Sequence, residues 1–553
     1  MELNGAQILV KALENQGVEL IFGYPGGAVL EIFDALMESP IKQVLVRHEQ
    51  GGTHAASGYA RASGKAGVCI ATSGPGATNL VTGIATAYMD SIPLVIITGQ
   101  VARSMVGTDA FQEVDITGIT SPITKHNYLV QNIGDLPKIT AEAFHIAQSG
   151  RPGPVLIDIP RDVAMASCTY KPLEKVELRS YKPNLKGHPT MIKNAVKTFM
   201  EAKNPVVCIG GGVISSDSGS LVKQLVELTG AKAVATLMGL GAFSGTSPAF
   251  LGMLGTYGNK AANLAVQESD CFLALGMRFD DRVVGNPQRF APKAKVIHID
   301  IDPSEICKNV PVDIPIVGDL NQVLGEMLEV IKKTDKVKEN AEYPNKDIIV
   351  NPGLNVPWVL RKLQSIVPED TIITTDVGQH QMWTAQHYNF THPRSFISSG
   401  GLGTMGYGIP AALGAQLAFP QKQVWVITGD GSFQMGMPEL GTIAELDLPI
   451  KILIFNNSGL GMVRQLQHFY CGQRYTFVDF NKTPDFMLLA KAYGAEGLKI
   501  ADGNDVARVL QEAAFNNKFT VIECPLPPEE LVYPIVLAGN GLEEMEDNFP
   551  VDS

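Results

Sequence analysis

Two short motifs carry the oxygen atoms that a divalent cation and a phosphate would need. GDGSF occupies residues 429–433 and FNN occupies 455–457, so Asp430 and Asn457 stand 27 residues apart. Each follows an apolar run, QVWVIT at 423–428 and IKILI at 450–454, that reads as a strand. In an open parallel sheet, ligands bind beyond the carboxyl ends of the strands. Gly429 and Gly431 let the backbone approach a phosphate closely, and the N–H groups that open the following helix point at it. One carboxylate and one amide oxygen suit Mg²⁺, which takes oxygen ligands and completes its shell with a substrate's phosphates. A lone GDG is an ordinary turn. A GDG after one strand with an asparagine pair after the next is far rarer and points to Mg²⁺-assisted binding of a phosphate.

The elements that must position these residues recur along the chain. The opening segment reads as a helix, with Ile8, Leu9, Ala12 and Leu13 on one face and Gly17 at its end. Apolar runs then alternate with helical stretches: VCIATSG (68–74), PLVIITG (93–99) and PVLIDIP (154–160). This alternation predicts a parallel sheet with helices on both faces. Residues 166–190 turn polar and read as a linker. A second set follows with PVVCIGGG (205–212), AVATL (233–237), CFLALG (271–276) and KVIHIDID (295–302), and a second polar linker over 332–356. The third set contains TIITTDVG (371–378), the two strands around Asp430 and Asn457, and FTVIEC (519–524). The expected fold is therefore α/β, with three tandem doubly wound parallel-sheet domains at 1–165, 190–332 and 357–535, then a C-terminal tail over 536–553.

Composition excludes several other classes. The net charge of −12, without a basic block, argues against a surface that tracks nucleic-acid phosphates. No apolar run approaches the ~18 residues of a membrane span. Residues 1–10 lack a signal-peptide pattern. The seven cysteines show no CxxC pair, which suggests reduced, mostly buried thiols and a cytoplasmic protein.

The GDG and NN pair resembles the motif of thiamine diphosphate enzymes. That resemblance implies a third metal ligand, the carbonyl of Gly459, and a diphosphate contact by Gly431 and Ser432. Thiamine diphosphate needs a carboxylate on its aminopyrimidine to drive the proton relay that deprotonates C2 of the thiazolium. In RHEQGGTHAASGYAR (47–61), Glu49 at the end of the strand QVLVRH looks like that glutamate. SGPGATN at 73–79 accompanies it.

At fuller length the chain is similar to the biosynthetic acetolactate synthases. The resemblance runs through FGYPGGA (22–28), CIATSGPGATNLVTG (69–83), GTDAFQEVD (107–115), TKHNYLV (124–130), SGRPGPVLIDIP (149–160), RFDDRV (278–283), TTDVGQHQMW (374–383), GLGTMGYGIPAALGAQ (401–416) and GMVRQ (461–465), all in one order. It implies that the first domain binds the pyrimidine, the third the diphosphate and the middle one FAD. It also implies an active site spanning two subunits, with Glu49 of one chain facing the GDG and NN of another. The implied assembly is a homodimer or dimer of dimers, with a small regulatory subunit as a further partner and 2-keto acids as substrates.

Residue roles follow from the same resemblance. Gly378, Gln379 and His380 resemble the diphosphate-contacting loop. Gly403 resembles the residue whose carbonyl takes the aminopyrimidine hydrogen bond, and Met405 the side chain that props the cofactor into its bent form. Gln112 and Phe111 resemble substrate-side residues, Met462 and Val463 line the same pocket, and Gly27 and Lys125 fall in its pyrimidine-domain wall. Arg282 resembles the arginine that takes the second keto acid's carboxylate, a natural bidentate pairing. For FAD, the GGG around Gly211 is only a fragment of a dinucleotide fingerprint. The resemblance adds Arg151, Thr236, Leu237, Tyr257, Gly276, Arg278, Asp280, Asp300, Ile301 and Asp319. Because the reaction moves no net electrons, that flavin would be structural.

Three positions depart from the family pattern. Leu466 stands where a tryptophan is expected, Thr256 and Tyr257 where Met-His is expected, and Ala102 at a position that is often proline. The first two put the choice of second keto acid in doubt. The alternatives that stay open are a pyruvate-restricted acetolactate synthase, another thiamine diphosphate decarboxylase or carboligase, and a non-catalytic regulatory relative. Glu49 argues against a glyoxylate carboligase, Arg282 against a simple decarboxylase, and intact Asp430 and Asn457 against a non-catalytic chain.

Overall fold

A computed structural model describes residues 2–173, 175–333, 343 and 352–547. Most of the second polar linker, and the end of the tail from 548, lie outside the described residues.

Three six-stranded sheets account for the core, and every pairing within them is parallel. Their central strands are near-continuous apolar runs such as Leu94–Gln100 and Cys271–Leu275, buried along their whole length. That is what helices on both faces of a parallel sheet require. The expected opening helix forms over Gly5–Asn15, with Asn4 and Gln7 closing a capping box and Ile8, Leu9, Ala12 and Leu13 buried. Gly17 follows it at φ +71°, a backbone that glycine adopts without strain.

Strand order distinguishes the three sheets. Numbered within each sheet in chain order, the first runs 2-1-3-4-6-5 and so does the third. The middle sheet runs 3-2-1-4-5-6, from Phe250–Met253 across Pro205–Ile209 and Cys271–Leu275 to Ile314–Val317. The latter is the strand order of dinucleotide-binding domains, whose ligand sits where the order reverses. Here that reversal lies between Pro205–Ile209 and Cys271–Leu275, the strands that lead into Gly210–Gly212 and Gly276.

The third sheet is the middle layer of the molecule. Val424 and Val426 point to a core shared with the first sheet, while Trp425 and Ile427 point to a core shared with the middle one. On the first side, helices Glu49–Ser63 and Gly408–Ala418 cross at backbone contact. A Cβ on Gly58 would lie 2.1 Å from the Ala411 carbonyl oxygen, and one on Gly414 would lie 1.9 Å from that of Ala55. Only glycine permits this crossing.

The polar stretch after the first sheet returns as a short strand, Ser167–Thr169, antiparallel to Glu2–Asn4. No helix or strand follows among the described residues until Pro189. The short edge strands His126–Leu129, Phe250–Met253, Ile314–Val317, Phe396–Ile397 and Glu496–Lys499 had no clear sequence signature. Edges of two to four residues show little periodicity.

Candidate active site

The expected metal ligands converge. Asp430 opens helix Asp430–Gly436 directly after strand Val424–Gly429, and Asn457 follows strand Lys451–Asn456 on the neighbouring position of the sheet. With the Asn457 amide turned so that Nδ2 donates to Gln379 Oε1 (3.2 Å), its Oδ1 faces Asp430 Oδ1 at 3.3 Å and the Gly459 carbonyl oxygen at 3.0 Å. Three oxygens this close repel unless a cation lies among them; otherwise the amide turns over and donates to both. Asp430 Oδ2 is buried without a partner, and burial pushes its carboxyl up to about 6. Among the described residues no cluster of three His, Cys, Asp or Glu could hold a metal. The donor set is instead one carboxylate, one amide and one carbonyl, which fits Mg²⁺ and a diphosphate.

One cavity holds these ligands together with Gly378, Gln379, His380, Met405, Gly431, Ser432, Met462 and Val463. Burial pushes His380 down to about 3, so its ring is neutral, and its Nε2 is buried without a partner. A neutral ring at this point serves an anion as a hydrogen-bond donor. Gly378 has φ +153°, and a Cβ there would lie 2.8 Å from His380 Cε1. A Cβ on Gly429 would lie 3.0 Å from His380 Nδ1.

A larger cavity of about 790 Å³ adjoins it, with Gly378 and Met462 common to both. It gathers the residues expected to hold a flavin: Arg151, Gly211, Thr236, Leu237, Tyr257, Gly276, Arg278, Asp280, Asp300, Ile301 and Asp319. Its size lies within the range of cofactor sites. At the reversal of strand order, Gly210 N–H donates to Leu275 O (2.9 Å) and Gly212 N–H to Gly276 O (3.0 Å). A Cβ on Gly210 would lie 2.1 Å from Gly276 O and one on Gly212 would lie 2.7 Å from Gly276 Cα, which explains two glycines of the triplet. Arg151 is tied to Asp302 (3.1 Å) and Glu305 (2.6 Å) at the cavity wall.

The same cavity brings Arg282, Thr256, Leu466 and Gly403 together. Arg282 is largely exposed, with the Asp281 carboxylate 3.6 Å away. Its backbone is fixed by Asp280, which caps that turn, and by Thr256 N–H donating to Arg282 O (2.7 Å). Tyr257 reaches helix Gly461–Tyr470 of the third domain, its hydroxyl 3.1 Å from Met462 Sδ.

The pyrimidine-domain set lines neither cavity. Glu49 is the first residue of helix Glu49–Ser63, and its Oε2 accepts from Asn79 Nδ2 at 2.9 Å. Gly76 leaves space beside it, since a Cβ there would lie 3.3 Å from Glu49 Oε1. Gln112 has φ +59°, and Phe111 is 88% exposed. A Cβ on Gly27 would meet nothing within 4 Å. Lys125 turns back into its own domain, where its ammonium donates to Ile146 O, Ser149 O (2.8 Å) and Tyr181 Oη (2.9 Å). Burial pushes it down to about 8.

Other residues that sequence reasoning passed over support this framework. Gln100 Nε2 donates to Val114 O (2.9 Å) and to buried Asp158 (3.0 Å), which anchors the segment bearing Phe111 and Gln112. Asp90 is buried, pairs with Arg61 (2.5 Å), and accepts the N–H groups of Gly400 (3.1 Å) and Gly401 (2.6 Å) just before Gly403. Each is a single common residue without diagnostic spacing, so no sequence signal could have found it.

Comparison with known proteins agrees along the whole chain. Residues 3–119 match the thiamine pyrophosphate enzyme N-terminal TPP binding domain, 192–327 the central domain, and 376–524 the C-terminal TPP binding domain. "Acetolactate synthase" of Mycobacterium bovis is 48% identical, covering 99% of this chain and 91% of that protein. "Acetolactate synthase large subunit" of Haemophilus influenzae and of Buchnera aphidicola are each 44% identical, covering 98% of both chains. With three thiamine pyrophosphate enzyme domains in order and such identity over nearly its full length, the chain belongs to the acetolactate synthase large-subunit family.

Proposed function

We propose that this enzyme decarboxylates pyruvate and transfers the remaining two-carbon unit to a second 2-keto acid. Transfer to pyruvate gives 2-acetolactate, and transfer to 2-ketobutyrate gives 2-aceto-2-hydroxybutyrate, the first common step of branched-chain amino-acid biosynthesis. Thiamine diphosphate, when bound, supplies the thiazolium carbon that adds to the keto group and accepts the electrons of the lost carboxylate. The observation that carries the reading is the cavity where Arg282, Thr256 and Leu466 meet the wall formed by Gly403 and Met462. A decarboxylase that only releases aldehyde needs no cation for a second carboxylate.

The residues divide the work. Asp430, Asn457 and Gly459 would hold Mg²⁺, and Gly378, Gln379, His380, Gly431 and Ser432 would hold the diphosphate. Met405 would prop the cofactor, Glu49 would hold a proton at the aminopyrimidine, and Gln112 would orient the reacting keto acid. Arg282 would pair with the acceptor's carboxylate. Because Glu49 and Asp430 line no common cavity within one chain, the reading includes a dimer in which Glu49 of a second copy completes each site. Gly27 and Phe111 belong to that same complementary wall, whereas Lys125, held by carbonyls of its own domain, does not. The working division is a pyrimidine domain at 1–165, an FAD domain at 190–332 and a diphosphate domain at 357–535. The "large subunit" names of its relatives support a small regulatory partner. No helix among the described residues is long and apolar enough to cross a membrane, and cysteine usage supports a cytoplasmic setting.

The strand order of the middle sheet and the glycine contacts at its reversal support FAD there, in a structural role. The purified protein is expected to be yellow and at least dimeric, as read by its visible spectrum and by sedimentation. A colourless, active monomer would contradict both.

The acceptor pocket sets the test of substrate choice. Pyruvate and 2-ketobutyrate differ by one methylene, which a hydrophobic pocket distinguishes by only ~1–3 kcal/mol. Leu466 and Thr256 offer less apolar contact than the Trp and Met expected there. Preference for 2-ketobutyrate should be weaker than in typical relatives, and Leu466→Trp should raise it. Competition at equal keto-acid concentrations measures this. Strong preference in the wild type, unchanged by the substitution, would remove position 466 from the account, and acetaldehyde as sole product would overturn the synthase reading.

A further inference from the structure

Glu49 is presented by a turn whose backbone is held by a carboxylate from another domain. The last ladder bond of that turn's strand runs from Val46 N–H to Gly23 O (3.2 Å). The N–H groups of Arg47 and His48 come next and find no helix or sheet partner. Their N–H groups instead donate to Glu439: Arg47 to Oε1 (3.0 Å) and Oε2 (3.3 Å), His48 to Oε1 (3.0 Å). Thr442 Oγ1 adds a bond of 2.6 Å to Oε2. Glu439 is 1% exposed, so these donors are its compensation for burial. It closes the turn Met437–Glu439 that follows helix Asp430–Gly436.

An independent feature marks the contact as built. Gly51, two residues after Glu49, is glycine where a Cβ would lie 2.4 Å from Glu439 Oε1. Its position inside a helix costs stability relative to alanine unless the missing side chain makes room for something. What it makes room for is this carboxylate. Both Glu439 and Gly51 therefore favour one placement of the Arg47–His48 backbone, and Glu49 extends directly from it.

We propose that Glu439 is a positioning residue for Glu49: it fixes the Arg47–His48 backbone so that the Glu49 carboxylate is aimed at the aminopyrimidine. The proposal rests on the reading of Glu49 given above. Glu439 touches neither substrate nor cofactor in this role. Its side chain links the helix that begins with Asp430 to the turn that presents Glu49 of the same chain.

Glu439→Gln tests this in the full-length enzyme, because the amide keeps the shape but turns an N–H₂ group toward one or more of the three donors. In the cofactor-free protein, amide hydrogen exchange over residues 45–52 should quicken. In the holoenzyme, hydrogen exchange at C2 of bound thiamine diphosphate and kcat should fall together by about 10- to 100-fold, with cofactor saturation and KM for pyruvate nearly unchanged. Gly51→Ala should produce the same pattern from the other side, and it carries the test if Glu439→Gln does not fold. A folded Glu439→Gln, or Gly51→Ala in its place, with C2 exchange and kcat at wild-type values overturns the proposal. Glu49→Gln, run alongside, separates the two readings. If it slows C2 exchange while the Glu439 variant does not, positioning alone fails; if it leaves C2 exchange intact, the role of Glu49 itself fails.

Discussion

Glu49→Gln is expected to bind thiamine diphosphate and Mg²⁺ at wild-type concentrations while losing about 10²- to 10⁴-fold in kcat, the range of a positioned acid–base group. The amide keeps the size of the side chain and its acceptor for Asn79. It has no carboxyl proton to give or take, so the relay that activates C2 stops. The diphosphate anchor is untouched, because Asp430, Asn457 and Gly459 lie in the third domain beyond different strands. Steady-state kinetics and a cofactor titration on the same preparation measure both halves. Turnover near the wild-type value would remove Glu49 from the mechanism.

Asp430→Ala is expected to abolish Mg²⁺-dependent cofactor binding over any ordinary concentration range. The substitution takes away the one carboxylate of the site and leaves the amide and carbonyl oxygens to face the cation alone. Removing one member of a buried charge pair costs roughly 3–5 kcal/mol, or about two to four orders of magnitude in affinity. Flavin content should stay at the wild-type value, since the site proposed for FAD lies at the middle sheet and away from Asp430. If thiamine diphosphate still saturates the variant at unchanged Mg²⁺, the metal lies elsewhere.

Much of the fold and of the candidate site is legible in the order of the amino acids. Parallel strands buried on both faces must be apolar throughout, so Cys271–Leu275, Val424–Gly429 and Thr520–Pro525 stand out as runs. A ligand site beyond strand ends needs glycine and oxygen donors at those ends. GDG and NN therefore read as chemistry from spacing alone, and the resemblance extends that reading to Glu49 and Arg282. The short edge strands are too brief to show a period, and the residues of the first linker carry too few apolar positions to read.

Other features depend on residues far apart in the chain. The middle sheet differs from its neighbours in strand order, which no local pattern encodes. Glu439 lies 391 residues from the His48 N–H it accepts, and Asp90 lies 310 residues from Gly400. Lys125 could face a pocket or its own domain, and only the carbonyls of Ile146 and Ser149 decide for the latter. What the amino-acid sequence determined by itself was the GDG and NN groups and the strands that end beside them, because both follow from local composition and period, with the other chemical groups marked by the resemblance. What only the tertiary structure decided was which distant backbone donors and carboxylates hold those groups in place, because hydrogen bonds across domains depend on the packed arrangement and leave no spacing in the chain.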